Sequence, residues 1–157
     1  MKLSITTYSF RKYIMQEQCD YFKVCDIAKE IGFDGIEFIN LDPANFVMVT
    51  GQDPAAAVRL LGKKIVHTHL KDGKMLKKTD PAVIYNYFAE GGIEALNIAD
   101  FFIETPVGDG DVNWADYISA LREIGYDGYL TIERETGADP IADIKKAADF
   151  VRENGYL

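Results

Sequence analysis

One module occurs twice in this chain. "EIGFDGIEF" (Glu30 to Phe38) and "EIGYDGYLTIE" (Glu123 to Glu133) each end a helix, turn through Gly-aromatic-Asp-Gly and enter a strand that carries a Glu. A repeated helix–turn–strand module means βα repetition, and βα repetition means a parallel sheet joined by right-handed crossovers. The fold class read from it is α/β.

The rest of the chain keeps the same rhythm. Strand-like runs, β-branched or aromatic and bounded by Gly, Asp or Pro, cover Leu3 to Thr7, Gly35 to Ile39, Lys64 to Leu70 and Gly128 to Glu133. Helix starts are announced by Asp53-Pro54, Asp80-Pro81 and Asp139-Pro140, because Asp caps free N–H groups and Pro suits the first helical position. Gly32, Gly62, Gly91, Gly125 and Gly155 stand where left-handed C-caps belong. The intervening helices are read as roughly 20–31, 54–61, 113–124 and 140–153, with a less regular section near 74–112 that adds one or two short helices. This makes about four βα units in one domain spanning residues 1–157.

The net charge of −8 lacks the basic footprint of a nucleic-acid binder. The one basic cluster, "KDGKMLKK" (Lys71 to Lys78), reads as a solvated loop. No apolar run approaches the roughly 20 residues of a membrane helix, and the polar start "MKLSITTYSF" does not read as a signal peptide, so a cytoplasmic protein is expected. Cys19 and Cys25 fall in one predicted helix on different faces and read as small buried hydrophobes in a reducing compartment.

Alternation along a strand places His67, His69 and Lys71 on one side, and Thr131 with Glu133 on one side of the last strand. Asp42 closely follows the second strand. Asp42, His69 and Glu133 thus stand at or just past strand C-terminal ends, where parallel α/β folds bind ligands. An Asp, a His and a Glu converging there make an N/O site for a divalent cation. Each alone has a plainer reading: a strand-end carboxylate as a helix cap, a histidine as part of a half-polar core.

These pieces resemble the sugar phosphate isomerase/epimerase group of xylose-isomerase-like TIM barrels. The resemblance is carried by "MKLSITTYSF" and "IGFDGIEF", then "LDPANF", "GQDPAAAVRLLGKKIVHTHLKDG", "PVGDGDVNW" and "GYDGYLTIERE". It implies that "LDPAN" ends the sixth barrel strand, that "HTHLKD" is the seventh and "TIE" the eighth. It implies metal ligation by Asp42, His69 and Glu133, with Mn, Mg, Co or Zn as the ion, proton transfer by Glu133, and Asn45 and Lys71 facing the substrate.

A full barrel takes about 250 residues. Here "LDPANF" follows the second strand almost at once, so the central strands and the family's other metal-binding Glu have no counterpart, and a seam falls near residues 39–42. The resemblance then implies a truncated TIM barrel, a half-barrel of about four βα units. An open four-stranded parallel sheet leaves both edge strands unpaired, so closure into eight strands as a homodimer is expected, with the last strand beside the partner's first. Three functions follow from it: a metal-dependent isomerase or epimerase of a sugar or sugar phosphate acting through an enediolate, a non-catalytic remnant that binds metal or sugar, or a keto-inositol-type dehydratase.

Other polar groups have modest readings. Gly108 and Gly110 offer a weak phosphate cradle; Asn113 caps the next helix; Trp114 is core or interface. Glu104 and Arg134 pair on the surface, Glu135 is exposed, and His67 is a hydrogen-bonded core residue.

Overall fold

A computed structural model describes residues 3–19, 21–37, 42–89 and 96–157. The order is β1 (Ser4–Thr6), a 3-10 turn, α1 (Arg11–Glu17), α2 (Tyr21–Ile31), β2 (Gly35–Glu37), α3 (Pro43–Asn45), a wider π-type turn (Phe46–Thr50), α4 (Pro54–Leu61), β3 (Thr68–Leu70), β4 (Asp72–Met75), α5 (Pro81–Ala89), β5 (Phe102–Thr105), α6 (Trp114–Glu123), β6 (Leu130–Ile132) and α7 (Pro140–Glu153).

The helix signals act as their chemistry dictates. Asp53, Asp80 and Asp139 accept hydrogen bonds from the backbone N–H groups of Ala55, Ala82 and Ala142 at 2.9, 2.9 and 3.0 Å. Asn113 caps α6 through Asp116 N at 3.3 Å. Gly32, Gly62, Gly125 and Gly155 take positive φ, whereas Gly91 lies outside the described residues. On α6 the residues Trp114, Tyr117, Ile118 and Leu121 are buried, the i, i+3, i+4, i+7 stripe of a helix with one apolar face. That stripe forms the main core with Ala55 and Val58 of α4, Leu70 of β3, and Ala147 and Val151 of α7. A second cluster joins Ala44, Met48, Val49 and Ile84.

The strands pair as β1 with β2 and β3 with β6, both parallel, and as β4 with β5, antiparallel. Parallel pairs flanked by helices are the α/β architecture expected from the repeated module, and no closed barrel forms among the described residues, which fits a truncated TIM barrel. The rest of the expected second strand, and all of the expected seam except Asp42, lie outside the described residues.

Two differences from the sequence reading matter for the site. The chain does not loop out after β3. It passes through Lys71 straight into β4, and Lys71 and Asp72 are buried rather than solvated. The section after it contains α5 and a short 3-10 turn as expected, but also β5, which holds β4 in an antiparallel ladder from Asp72–Thr105 to Met75–Phe102. Cys19 lies outside α2, and both cysteines are half-buried free thiols rather than buried core. No helix among the described residues is long and apolar enough to cross a membrane.

Candidate metal centre

β3 and β6 run in register, with His69 opposite Thr131 and Leu70 opposite Ile132. One further ladder bond, Glu133 N to Leu70 O at 3.1 Å, carries the pairing past the end of β6. This brings the side chains of His69 and Glu133 to the same strand end, with His69 Nδ1 2.5 Å from Glu133 Oε2.

Asp42 arrives from the other side. It is the N-cap of α3, a fourth Asp-Pro start: its Oδ1 accepts from Ala44 N at 2.8 Å and Asn45 N at 3.3 Å. Capping fixes one oxygen and turns the other inward. Oδ2 lies 3.3 Å from His69 Nδ1, yet it is buried with no hydrogen bond of its own. The ring nitrogen has one proton to give, and Glu133 is the nearer acceptor. The Asp42–His69 contact is therefore an ion pair without an aligned hydrogen bond.

Among the described residues, Asp42, His69 and Glu133 offer one ligand atom each, all within 4.8 Å of one another. An orphaned buried carboxylate oxygen costs free energy unless something positive meets it. A divalent ion meets that need, and one imidazole with two carboxylates suits Mn, Mg, Co or Zn. In the metal-free chain a proton serves instead. Asp42 and Glu133 push the imidazole up to about 10 against the cost of its burial. Glu133 is in turn drawn down to about 2, first by His69 and, against desolvation, by Lys71.

Lys71 continues the same face beyond His69, just past the C-terminal end of β3. Its Nζ lies 2.9 Å from Glu133 Oε1, 2.5 Å from Glu135 Oε2 and 3.9 Å from Glu104 Oε2. Burial opposes its charge, but the bonds to Glu135 and Glu133 prevail and hold the ammonium above its ordinary range. Asn45 is half-buried, one turn along from the Asp42 carboxylate that its backbone N–H contacts.

Several residues took roles that the sequence reading did not give them. Glu104 and Arg134 do not pair on the surface. Both side chains are almost wholly buried, 2.6 Å apart, and Glu104 Oε1 also accepts from Glu135 N at 2.9 Å. Arg134 Nε in turn meets Asp143 Oδ2 at 2.8 Å. Glu135, two residues past Glu133, shares its alternation, and that was the available signal for its contact with Lys71. Asp42, Glu104, Glu133, Glu135 and Asp143 outnumber Lys71, Arg134 and a protonated His69, so the cluster has room for additional positive charge.

Gly108 and Gly110 do not cradle a phosphate. Their N–H groups donate to Asp72 Oδ2 at 3.0 and 3.1 Å, and Trp114 Nε1 joins them at 2.8 Å. Asp72 Oδ1 accepts from Gly73 N and Val112 N at 2.9 and 3.2 Å. The loop after β5 is thus folded around an internal carboxylate. A Cβ on Gly110 would stand 1.9 Å from Asp72 Oδ1, so only glycine fits. His67 is exposed rather than core; its ring meets that of His69 edge-on, 5.3 Å between centroids.

Parallel βα units with an acidic and imidazole cluster at the C-terminal ends of the strands define a TIM-barrel type of ligand site. The chain belongs to the xylose isomerase-like TIM barrel family, whose model matches residues 38–154. It is 28% identical over 114 residues to an inosose dehydratase of Clostridium tetani, a match covering 71% of this chain and 36% of that protein. It is 25% identical over 122 residues to an uncharacterized protein, YfiH, of Bacillus subtilis, covering 73% and 36%. The crystal structure of a xylose isomerase domain protein from Planctomyces limnophilus superposes with a TM-score of 0.55 at 26% identity, covering 85% of this chain and 42% of that one. The chain thus spans 36% of the length of these curated relatives.

Proposed function

We propose that this protein is a metal-dependent isomerase or epimerase of a sugar or sugar phosphate, working through an enediolate. The observation that carries the reading is the buried Asp42 Oδ2, without a hydrogen bond and aimed at His69 beside Glu133. Asp42, His69 and Glu133 would hold one divalent ion. When bound, such an ion supplies Lewis acidity to a substrate carbonyl and makes the adjacent C–H more acidic.

The chain's own groups divide the remaining work. Lys71 stays charged and supports developing negative charge on substrate oxygen. Asn45, on the turn capped by Asp42, faces substrate hydroxyls. Glu133 moves the proton. A carboxylate held near 2 is a strong ligand and a weak base, so its part in proton transfer depends on a carbon acid already activated by its surroundings. The free thiols of Cys19 and Cys25 fit a cytoplasmic setting.

A second reading, a keto-inositol-type dehydratase, is favoured by the likeness to inosose dehydratase. It shares the first step, removal of a proton beside a ketone, and then expels the β-hydroxyl as water. A third, a non-catalytic remnant, keeps metal or sugar binding alone. Incubating the protein with a panel of ketoses, their phosphates and a keto-inositol in deuterium oxide, with each metal in turn, separates them. Deuterium entering next to the carbonyl without loss of water supports the isomerase. Loss of water supports the dehydratase. Neither, with metal still bound, leaves the remnant.

A further inference from the structure

Given the ion held by Asp42, His69 and Glu133 in the proposed function, on which this rests, we propose that Lys71 is a positioning residue for that ion. It keeps one oxygen of Glu133 out of reach, so that the site offers one oxygen per carboxylate and discriminates against calcium.

Both carboxylates of the triad have one oxygen engaged by the protein. Asp42 Oδ1 accepts from Ala44 N at 2.8 Å and Asn45 N at 3.3 Å, while Oδ2 has no hydrogen bond. Glu133 Oε1 accepts from Lys71 Nζ at 2.9 Å, while Oε2 lies 2.5 Å from His69 Nδ1. The two arrangements differ in kind. The N–H groups on Asp42 belong to the first turn of α3 and cannot leave without undoing it. An ammonium on a flexible four-carbon stem can swing away unless its surroundings hold it.

The surroundings of Lys71 do hold it. Its side chain is 5% accessible, and Nζ also lies 2.5 Å from Glu135 Oε2 and 3.9 Å from Glu104 Oε2. Glu104 is itself fixed by Arg134 Nη1 at 2.6 Å and Glu135 N at 2.9 Å. The backbone is pinned on both sides. His69 and Leu70 belong to β3, and Asp72 is bonded by the loop after β5 through Gly108 N, Gly110 N and Trp114 Nε1.

The number of ligand atoms follows from this. For Glu133 to bind an ion through both oxygens, it must surrender a charge-assisted hydrogen bond to a buried ammonium. With that bond kept, Asp42, His69 and Glu133 give one atom each. Calcium takes roughly six to eight oxygen ligands and often draws two from one carboxylate, whereas magnesium and manganese accept fewer ligands and keep water. The positive charge of Lys71 weakens every divalent ion alike. Its hold on Glu133 Oε1 penalises calcium in particular, so the ratio of two affinities isolates the positioning role.

The test is titration calorimetry of manganese and calcium on the chelator-treated full chain, as wild type, Lys71→Met, Glu133→Gln and the double variant. The wild type should prefer manganese. Lys71→Met frees Glu133 Oε1, and the manganese-to-calcium ratio should fall about tenfold, the lower end of what loss of an outer-shell partner costs a metal site. Glu133→Gln has a single side-chain oxygen, so in that background Lys71→Met should leave the ratio unchanged. Infrared difference spectra of the wild type need no variant: added manganese should give the wide splitting of carboxylate stretches that marks one-oxygen ligation. A narrow, two-oxygen splitting in the wild type overturns the proposal. So does a ratio that Lys71→Met leaves unchanged, or shifts equally in the Glu133→Gln background. A wild type that binds neither ion overturns the metal reading itself, and the role of Lys71 with it.

Discussion

His69 Nδ1 and Glu133 Oε2 lie 2.5 Å apart across the ends of two parallel strands, and the same imidazole nitrogen is 3.3 Å from Asp42 Oδ2. A single ring proton thus stands between two carboxylates in the position where a cation would balance both. Competition between that proton and a metal ion makes the site testable without knowledge of the substrate.

Metal binding should depend on both partners. Titration calorimetry on chelator-treated protein is expected to show one divalent ion per chain for the wild type. His69→Ala with Glu133→Ala should weaken it beyond the roughly 10–100-fold that loss of an outer-shell partner costs. Equal affinity in the two proteins would falsify the assignment.

The affinity should also rise with pH. His69 titrates near 10 in the metal-free chain, and only the neutral ring can ligate. Apparent affinity is then expected to climb about tenfold per pH unit below that value, with one proton released per ion. Calorimetry in buffers of different ionisation enthalpy counts the proton. The same shift fixes the sign for metal-free stability. A group raised from 6.5 to about 10 stabilises the fold fully below 6.5 and loses that contribution as pH rises through 10. Glu133, lowered from 4.5 to about 2, stabilises above 4.5 and loses its part as pH falls through 2. Urea midpoints across pH should trace both limbs.

Asp72 is expected to be a costly carboxylate to remove. Asp72→Ala strands the N–H groups of Gly108, Gly110 and Val112 and the indole of Trp114 around a void. Of these, the Val112 N–H and the Trp114 indole are the buried donors, and each buried orphan donor costs ~1–3 kcal/mol, so the loss should reach ~2–6 kcal/mol. Trp114 is the only tryptophan, so its fluorescence reports the change directly during urea unfolding. Gly110→Ala should be comparably damaging, because the added carbon lands on the Asp72 carboxylate.

Glu104 and Glu135 should separate cleanly. Glu104→Ala removes the buried partner of Arg134 and should cost ~3–5 kcal/mol. Glu135→Ala removes a carboxylate whose side chain is 64% accessible and should cost ~1 kcal/mol or less. Denaturant unfolding of the two variants side by side decides it; equal losses would mean that the Lys71–Glu135 contact is as structural as the Glu104–Arg134 pair.

The sequence by itself determined what neighbouring residues can enforce on one another. Asp53, Asp80 and Asp139 cap their helices because a cap needs only its own first turn. The βα rhythm is a repeated local pattern, and period-two alternation put His69, Lys71 and Glu133 at strand ends on shared faces. Tertiary structure decided what depends on distant chain. β4 is polar in sequence and becomes a strand because β5, far along the chain, supplies its ladder. Burial of Glu104 and Arg134 is set by what packs over them, which no window of sequence contains. Gly108 and Gly110 have the form of an anion loop, and only folding could show that the anion is Asp72, brought there by β4. Local hydrogen bonds and periodicity are written within a few residues; the charge that meets a given N–H is chosen by long-range packing.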